Sequence, residues 1–186
     1  MLKKAIMISA ALASRSLREV VVQQARIEAL QRMPIFGGLR RDVLELLVGA
    51  AGMTSVPCDQ YFFREDDKAT AMFVMESGEV AILKSWNGRE YEIGRLGPGD
   101  CFGEMALIDL FPRSASVRAL RDCTAITLSM ESVHRLYEND VEQFALILMN
   151  IGRELSRRLR IADERLFSFK MGEPYRDGEA LRPLVW

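Results

Sequence analysis

This sequence has few histidines, few cysteines and almost no net charge, and each of these features excludes some classes of function. Of 186 residues, one is a histidine, His134, and three are cysteines, Cys58, Cys101 and Cys123. The cysteines lack the spacing of zinc, iron–sulfur or redox motifs, so we expect no bound metal. We also expect the thiols to be reduced, as in a cytoplasmic protein. The 25 basic residues nearly balance the 26 acidic ones. Overall charge therefore offers no attraction for nucleic acid or for an anionic membrane.

Long hydrophobic runs and catalytic clusters are also missing. The apolar run at residues 5–13 is too short to span a membrane, so no membrane span is expected. It fits either a short secretory signal with the cleavage triplet Ala11-Leu12-Ala13 or an ordinary helix, and we favour the helix because its pattern continues. His134 has no carboxylate or cysteine cluster, and neither Ser114 nor Ser116 has a histidine nearby in sequence. We therefore predict no catalytic residue.

Turn signals divide the chain into helical ends and a β-rich centre. Residues 1–33 are predicted to be helical up to the position before Pro34, because proline disfavours helix just ahead of it. Residues 53–129 carry short β-branched and aromatic runs, with Asn87-Gly88 as the strongest hairpin signal. Many short strands at near-regular spacing indicate a closed or double-sheet β structure. Apolar residues then recur every three or four positions to about Phe167, which predicts a short helix and a long one.

Capping residues give the expected helix ends. Asp42 is predicted to cap a short helix before the strands, and Asn139 or Asp140 to cap the long C-terminal helix. The arginines on that long helix are interpreted as a solvated face with acidic neighbours. Residues 168–186, rich in glycine, proline and charge, are expected to form an irregular tail.

The most informative segment is residues 99–119, which contains the strings FGEMAL and PRSASV. Gly103 lets another group approach the backbone closely and tolerates unusual dihedral angles. Glu104 opens a short apolar run whose first helical amides would favour an anion. Arg113 adds a planar fork of donors that matches two phosphate oxygens. Taken alone, each residue is better explained by an ion pair across a turn or by the shape of a hairpin, but the ordered set predicts a site for an anionic sugar phosphate.

This segment resembles the phosphate-binding cassette of cyclic-nucleotide-binding domains, as in the catabolite activator family, the regulatory subunit of cAMP-dependent kinase and nucleotide-gated channels. The resemblance covers residues 34–167 and implies an α+β fold. An antiparallel, jelly-roll-like β-roll (a double-stranded β-helix) would span about 53–129, flanked by N-terminal helices and a long C-terminal helix. The implied organisation is a helical extension at 1–33, the domain at 34–167 with its C-terminal helices at 131–167, and the tail.

The resemblance also implies a role for each cassette residue. Glu104 would accept from the ribose 2′-hydroxyl, Arg113 would pair with the cyclic phosphate, and the amides of Ala106 and Ser114 would complete the anion site. Val117 and the long helix would help to shape a base pocket. The ligand-binding residues expected on this basis are Leu96, Phe102, Gly103, Glu104, Met105, Ala106, Arg113, Ser114 and Ala115.

The implied function is regulatory binding of a cyclic mononucleotide without catalysis, passed to an unknown effector protein by movement of the long helix. Ser114 stands where some cGMP-selective family members have threonine, so cAMP is favoured over cGMP, and a cyclic dinucleotide stays open.

About 20 residues follow Phe167, too few for a helix-turn-helix domain, so no direct DNA binding is expected. The long helix is also a candidate surface for homodimerisation.

Two other functions stay open. The first is a β-roll that has lost its ligand and serves as an interaction scaffold. The second, ranked lower, is an enzyme that acts on a nucleotide or a small acid. Failure to bind any cyclic nucleotide would favour the scaffold, and product formation would favour the enzyme.

Overall fold

Short strands fill the centre of the chain, where the β-branched and aromatic runs predict them. The computed structural model describes residues 24, 26–50 and 52–172. Within them the strands are β1 (Gly52–Val56), β2 (Tyr61–Phe63), β3 (Ala71–Ser77), β4 (Val80–Trp86), β5 (Arg89–Leu96), β6 (Cys101–Phe102), β7 (Ser116–Ala119) and β8 (Cys123–Ser129). The two-residue strand β6 was not predicted, because two residues are too few to show a period.

The strands form two antiparallel four-stranded sheets with the orders β1-β8-β3-β6 and β2-β7-β4-β5. Side chains alternate along β3, so Phe73 and Met75 face the space between the sheets while Met72 and Val74 face the helices. All four are buried because β3 has packed layers on both faces. The predicted α+β class with an antiparallel β-roll and a long C-terminal helix is confirmed.

Helices flank the roll on both sides in sequence, and one short helix lies within it. They are α1, seen over residues 26–31, a 3₁₀ turn at Pro34–Phe36, α2 (Arg41–Ala50), α3 (Met105–Ile108), α4 (Met130–Asn139) and α5 (Val141–Met171). None of these described helices is long and apolar enough to cross a membrane. The predicted helix and alternative signal sequence over residues 1–23 lie outside the described residues.

The predicted caps are partly wrong. Asp42 lies inside the first turn of α2 and pairs with Arg40 at 3.2 Å instead of capping the helix. Asp140 does cap α5, because its Oδ1 accepts from the Gln143 amide at 3.1 Å. The long helix also continues to Met171, beyond the predicted end at Phe167.

The two halves of α5 have different surroundings. In the first half Ile147 and Ile151 are buried in the helical core, and the Asn150 side chain donates to two backbone carbonyls of the 3₁₀ turn region at 3.1 and 2.9 Å. In the second half Leu159 is 63% and Leu166 52% exposed. The apolar repeat therefore continues beyond residue 158, where α5 no longer packs on that core.

Candidate functional site

The cassette is a loop between β6 and β7 that holds one helical turn, α3. Strand β6 pairs with β3 through Phe73 and Phe102, which fixes the start of the loop on the roll. At its far end the Arg113 amide donates to the Asp67 carbonyl at 2.9 Å, and the Asp66 amide donates to the Arg113 carbonyl at 2.9 Å. Both ends of the loop are thus anchored by backbone hydrogen bonds to neighbouring segments.

Gly103 makes room for the Arg113 side chain. Its φ of +78° lies in the left-handed region, and a Cβ at this position would be 2.5 Å from Arg113 Nη1. The Gly103 carbonyl in turn accepts from that nitrogen at 2.9 Å. The group that approaches this glycine in the structure is therefore a guanidinium of the same loop.

Arg113 is buried, with 5% of its surface exposed. Its guanidinium donates to the carbonyls of Gly103 and Ala71, at 2.9 and 2.6 Å, and lies 4.0 Å from the centre of the Phe63 ring. Those two bonds use two of five N–H donors, and Nε has no partner. Among the described residues no carboxylate lies within salt-bridge distance of Arg113. The site therefore holds a buried cation without a paired anion.

Glu104 is buried beside this cation, with 3% of its surface exposed. Its Oε1 accepts from Nη1 of Arg158 on α5 at 3.0 Å, while Oε2 is buried without a partner. Arg158 also donates to the Cys101 carbonyl at 2.5 Å and to Glu154 at 3.0 Å. One guanidinium thus ties the cassette to the long helix, and one carboxylate oxygen is left to accept a hydrogen bond.

Burial dominates the electrostatics of this site. It raises the pKa of Glu104 above its usual value, against the opposing fields of Arg158 and Arg113. It lowers the pKa of Arg113, although Asp67 and Glu104 act in the other direction. Burial also acts to lower the pKa of Arg158, but the fields of Glu104, Cys101 and Glu154 outweigh it and raise that pKa. An anion bound at Arg113 would offset the cost of holding its charge away from water.

A cavity of about 600 Å³ opens next to Glu104 and Arg113. Its polar end is the cassette, and its other end is apolar and lies between the β4–β5 hairpin and α5. The residues of that apolar end are Ile82, Ile93, Leu96, Val117, Ile161 and Ala162. Arg95, Arg158 and Arg165 add positive charge along the wall.

The structure brings the predicted site residues together around this cavity. Eight of the nine line it, namely Leu96, Phe102, Gly103, Glu104, Met105, Arg113, Ser114 and Ala115. Ala106 follows Met105 in the single turn of α3. Ser116 does not line this cavity: it is buried, and its hydroxyl accepts from the Glu65 amide at 2.9 Å.

Two contributors to the site were missed. Arg158 was assigned to a solvated helix face, but its side chain reaches the cassette. It lies seven residues after the buried Ile151, on the same side of the helix, so helical periodicity could have found it. Phe63, which stacks on Arg113, is 50 residues away in sequence. Nothing in the local sequence links it to the cassette.

The remaining reactive residues have ordinary surroundings. Burial, aided by Glu104, raises the pKa of the Cys101 thiol to about 12, so this cysteine is an apolar packing residue. His134 is exposed and lies 3.4 Å from Glu138 one turn away. In the part of the chain that the structure describes, no group of three or more histidine, cysteine or acidic residues could hold a metal ion.

A family model described as the cyclic nucleotide-binding domain matches residues 53–140, which contain the β-roll and the cassette. Residues 53–140 therefore belong to the cyclic nucleotide-binding domain family. The cassette is the part of that domain in which Glu104 and Arg113 line the cavity.

Known proteins that are similar to this chain are consistent with this family assignment. The chain is 32% identical over 134 residues to the cyclic AMP receptor protein of Thermus thermophilus, covering 72% of this chain and 60% of the relative. The crystal structure of the Thermus thermophilus catabolite activator protein matches with a TM-score of 0.65 and 31% identity, covering 74% of this chain and 63% of that one. The regulatory domain of Toxoplasma gondii PKA, crystallised with cAMP, matches with a TM-score of 0.54 and 27% identity over 59% and 42% of the two chains. This chain thus spans about 60% of the length of its curated relative.

Proposed function

We propose that this chain binds a cyclic mononucleotide in the cavity beside the cassette and acts by regulation, without catalysing a reaction. The observation that carries the proposal is the buried pair of unsatisfied groups, Nε of Arg113 and Oε2 of Glu104. A cyclic phosphate supplies the anion that Arg113 lacks, and a ribose hydroxyl supplies the donor that Glu104 lacks. A cyclic nucleotide carries both groups close together, so it fits the chemistry of this end of the cavity.

The rest of the cassette supports the phosphate. The Lys84 ammonium donates to the Ser114 carbonyl at 2.8 Å and so holds this stretch of backbone against β4. The amides of Ala106 and Ser114, like the guanidinium of Arg113, donate to phosphate oxygens of the bound nucleotide. Met105 lines the cavity next to Ser114, whose hydroxyl lies 3.8 Å from the Met105 sulfur.

Occupancy is transmitted through α5. Glu104 pairs with Arg158 on α5, so a ribose hydroxyl that donates to Glu104 alters an ion pair that joins the cassette to the helix. The bound nucleotide then shifts α5 only to the extent that it prefers one helix position over the other. An effector protein reads that position, and the module works in the cytoplasm, where cyclic nucleotides are made.

The proposed ligand is cAMP rather than cGMP. Ser114 replaces the threonine of some cGMP-selective members, and two of the relatives above carry cAMP in their names. Isothermal titration with cAMP, cGMP, cyclic di-GMP and the non-cyclic control 5′-AMP tests this choice. We expect binding of the cyclic mononucleotides, tightest for cAMP. Absence of binding to all four would support the alternative function of a ligand-free scaffold.

A second copy of the chain is the proposed partner of the exposed seam on α5. Apolar or small residues follow one another at alternating steps of four and three residues, as in a coiled coil. They are Leu148, Gly152, Leu155, Leu159, Ala162 and Leu166. Replacement of Leu159 by Asp should convert a dimer to a monomer in analytical ultracentrifugation. The exposed Phe167 lies off this seam, so Phe167→Asp is the matched control and should leave the mass unchanged.

A further inference from the structure

We propose that Phe63 is a positioning residue for the phosphate site, because its ring face holds the buried Arg113 guanidinium in place of a paired carboxylate. The observation that carries this proposal is the distance of 4.0 Å between Cζ of Arg113 and the centre of the Phe63 ring. The proposal rests on the proposed function, since it concerns how Arg113 is presented to the cyclic phosphate.

An irregularity in β2 directs Phe63 toward this cation. The register pairs Tyr61 with Arg118 and Phe63 with Val117. Two steps along β2 thus match one step along β7. In a regular strand neighbouring side chains point to opposite faces, whereas a bulge changes the direction of one of them. As a result, Phe62 and Phe63 both pack against the core between the two sheets.

Neighbouring rings and the cassette backbone fix the orientation of Phe63. Its ring centre lies 5.9 Å from those of Phe73 and Phe102. On the cassette side, a Cβ at Gly103 would lie 3.4 Å from Cε1 of Phe63 and 2.5 Å from Nη1 of Arg113. The absence of a side chain at Gly103 therefore makes room for the ring as well as for the guanidinium.

The ring face compensates for the missing counter-ion. A cation over an aromatic face is attracted by the negative charge of that face, and the attraction is stronger when the pair is shielded from water. Arg113 is buried, and its guanidinium donates to the carbonyls of Gly103 and Ala71. Among the described residues it has no salt bridge. The face of Phe63 is therefore a direct contact that offsets its buried charge in addition to those two carbonyls.

A ring performs this role differently from a carboxylate. A carboxylate paired with Arg113 would occupy the planar N–H donors that a phosphate needs, and the phosphate would have to displace it. The Phe63 contact is made at Cζ, over the ring face, whereas the donors point outward in the plane of the guanidinium. The cation is thus held in place while donors such as Nε stay available for phosphate oxygens.

Stability measured without nucleotide provides the first test. Phenylalanine analogues with one, two or three fluorines at position 63 draw charge from the ring face and keep nearly the same shape. The urea midpoint should fall with each added fluorine, because the contact with Arg113 weakens. The same series at position 62 is the matched control. Phe62 packs edge-on against Phe73 and Phe102, and among the described residues no guanidinium lies over its ring, so its midpoint should not follow the fluorine count.

Arg113→Met completes a cycle, since it replaces the cation by an apolar side chain. In that variant the fluorine series at position 63 should leave the urea midpoint unchanged. An equal decline with and without the guanidinium, or a flat series at position 63 in the wild type, would overturn the proposal. If Arg113→Met does not fold, the contrast between positions 62 and 63 decides the question alone.

Titration with cAMP provides the second test. Phe63→Leu should weaken binding about five- to tenfold, because an unsupported guanidinium leaves the geometry that meets the phosphate. Phe62→Leu makes the same change in the same aromatic cluster and should leave the affinity unchanged. Similar losses in both variants would show that Phe63 only fills space, which contradicts the proposal. Absence of binding in the unmodified chain would instead refute the proposed function, and the stability series would still decide the role of Phe63.

Discussion

The two ends of the cavity are built in opposite ways. At the cassette end Arg113 and Glu104 are almost fully buried and bonded to backbone or to Arg158. At the other end Ile93 and Ala162 are exposed, and the wall comes from a hairpin and a helix far apart in sequence. The closed end fits a ligand that carries an anionic group beside a hydrogen-bond donor, whereas the open end can contact many different apolar groups. Selectivity for the base of a bound nucleotide therefore depends on the apolar residues of the open end.

The largest expected effect comes from removing the buried cation. Arg113→Ala should weaken cyclic-nucleotide binding at least tenfold, since charge-assisted hydrogen bonds contribute about 1.5–3 kcal/mol. Arg160→Ala, an exposed change on α5, is the matched control and should leave affinity unchanged. Isothermal titration of both variants measures the difference. Unchanged affinity in a folded Arg113→Ala protein would show that the closed end does not hold the phosphate.

Gly103→Ala should destabilise the same end by steric conflict. Both the positive φ and the 2.5 Å approach to Arg113 oppose a side chain there, and we expect a loss of about 2 kcal/mol or more in unfolding free energy. Gly88 has a similar φ of +73° but open space around it. Gly88→Ala therefore measures the cost of the backbone alone in urea denaturation. Equal losses in the two variants would mean that the Arg113 contact adds nothing.

The sequence predicts the closed end far better than the open one. Gly103, Glu104 and Arg113 fall within eleven consecutive residues, so their spacing alone suggests a common site. Arg158 joins them from 54 residues away, and the contact depends on how α5 docks on the roll. That docking is set by the long-range packing of α4, α5 and the 3₁₀ turn. Local propensity does not encode it.

The same limit applies to the long helix. Its apolar repeat predicts a helix correctly, but a repeat does not say what covers it. Ile147 and Ile151 face the core, whereas Leu159 continues the pattern in a region without core. The periodic signal is the same in both halves, but the first half packs on the helical core and the second half lies beside the cavity. Helix formation was therefore predictable, and burial was not.

The contact between the cassette and α5 can be removed by changing Arg158. Arg158→Met removes the partner of Glu104 and the donor to Cys101, so we expect a loss of about 1–3 kcal/mol in unfolding free energy. Arg157→Met is the matched control, because Arg157 is exposed on the same turn and, among the described residues, its salt bridge is to Glu154 and not to the cassette. Urea denaturation of the two variants measures the contrast. Similar small effects would show that cassette and helix are not coupled through this contact.

The smallest expected effect is a pH dependence at Glu104. Burial raises the pKa of this carboxyl in the folded protein, so the folded state binds its proton more tightly than the unfolded state does. Its contribution to stability is then fully present below the ordinary carboxyl pKa and is lost as pH rises through the raised value. In Glu104→Gln that dependence is absent.

Urea denaturation of the wild type and Glu104→Gln between about pH 4 and pH 7 gives the comparison, since an ordinary glutamate titrates near 4.3. The stability of the wild type relative to the variant should fall as pH rises. A relative gain with rising pH would mean that the ion pair with Arg158 outweighs burial. The closed end would then already be electrostatically satisfied without a ligand, and the contrast between the two ends of the cavity would be smaller than the geometry suggests.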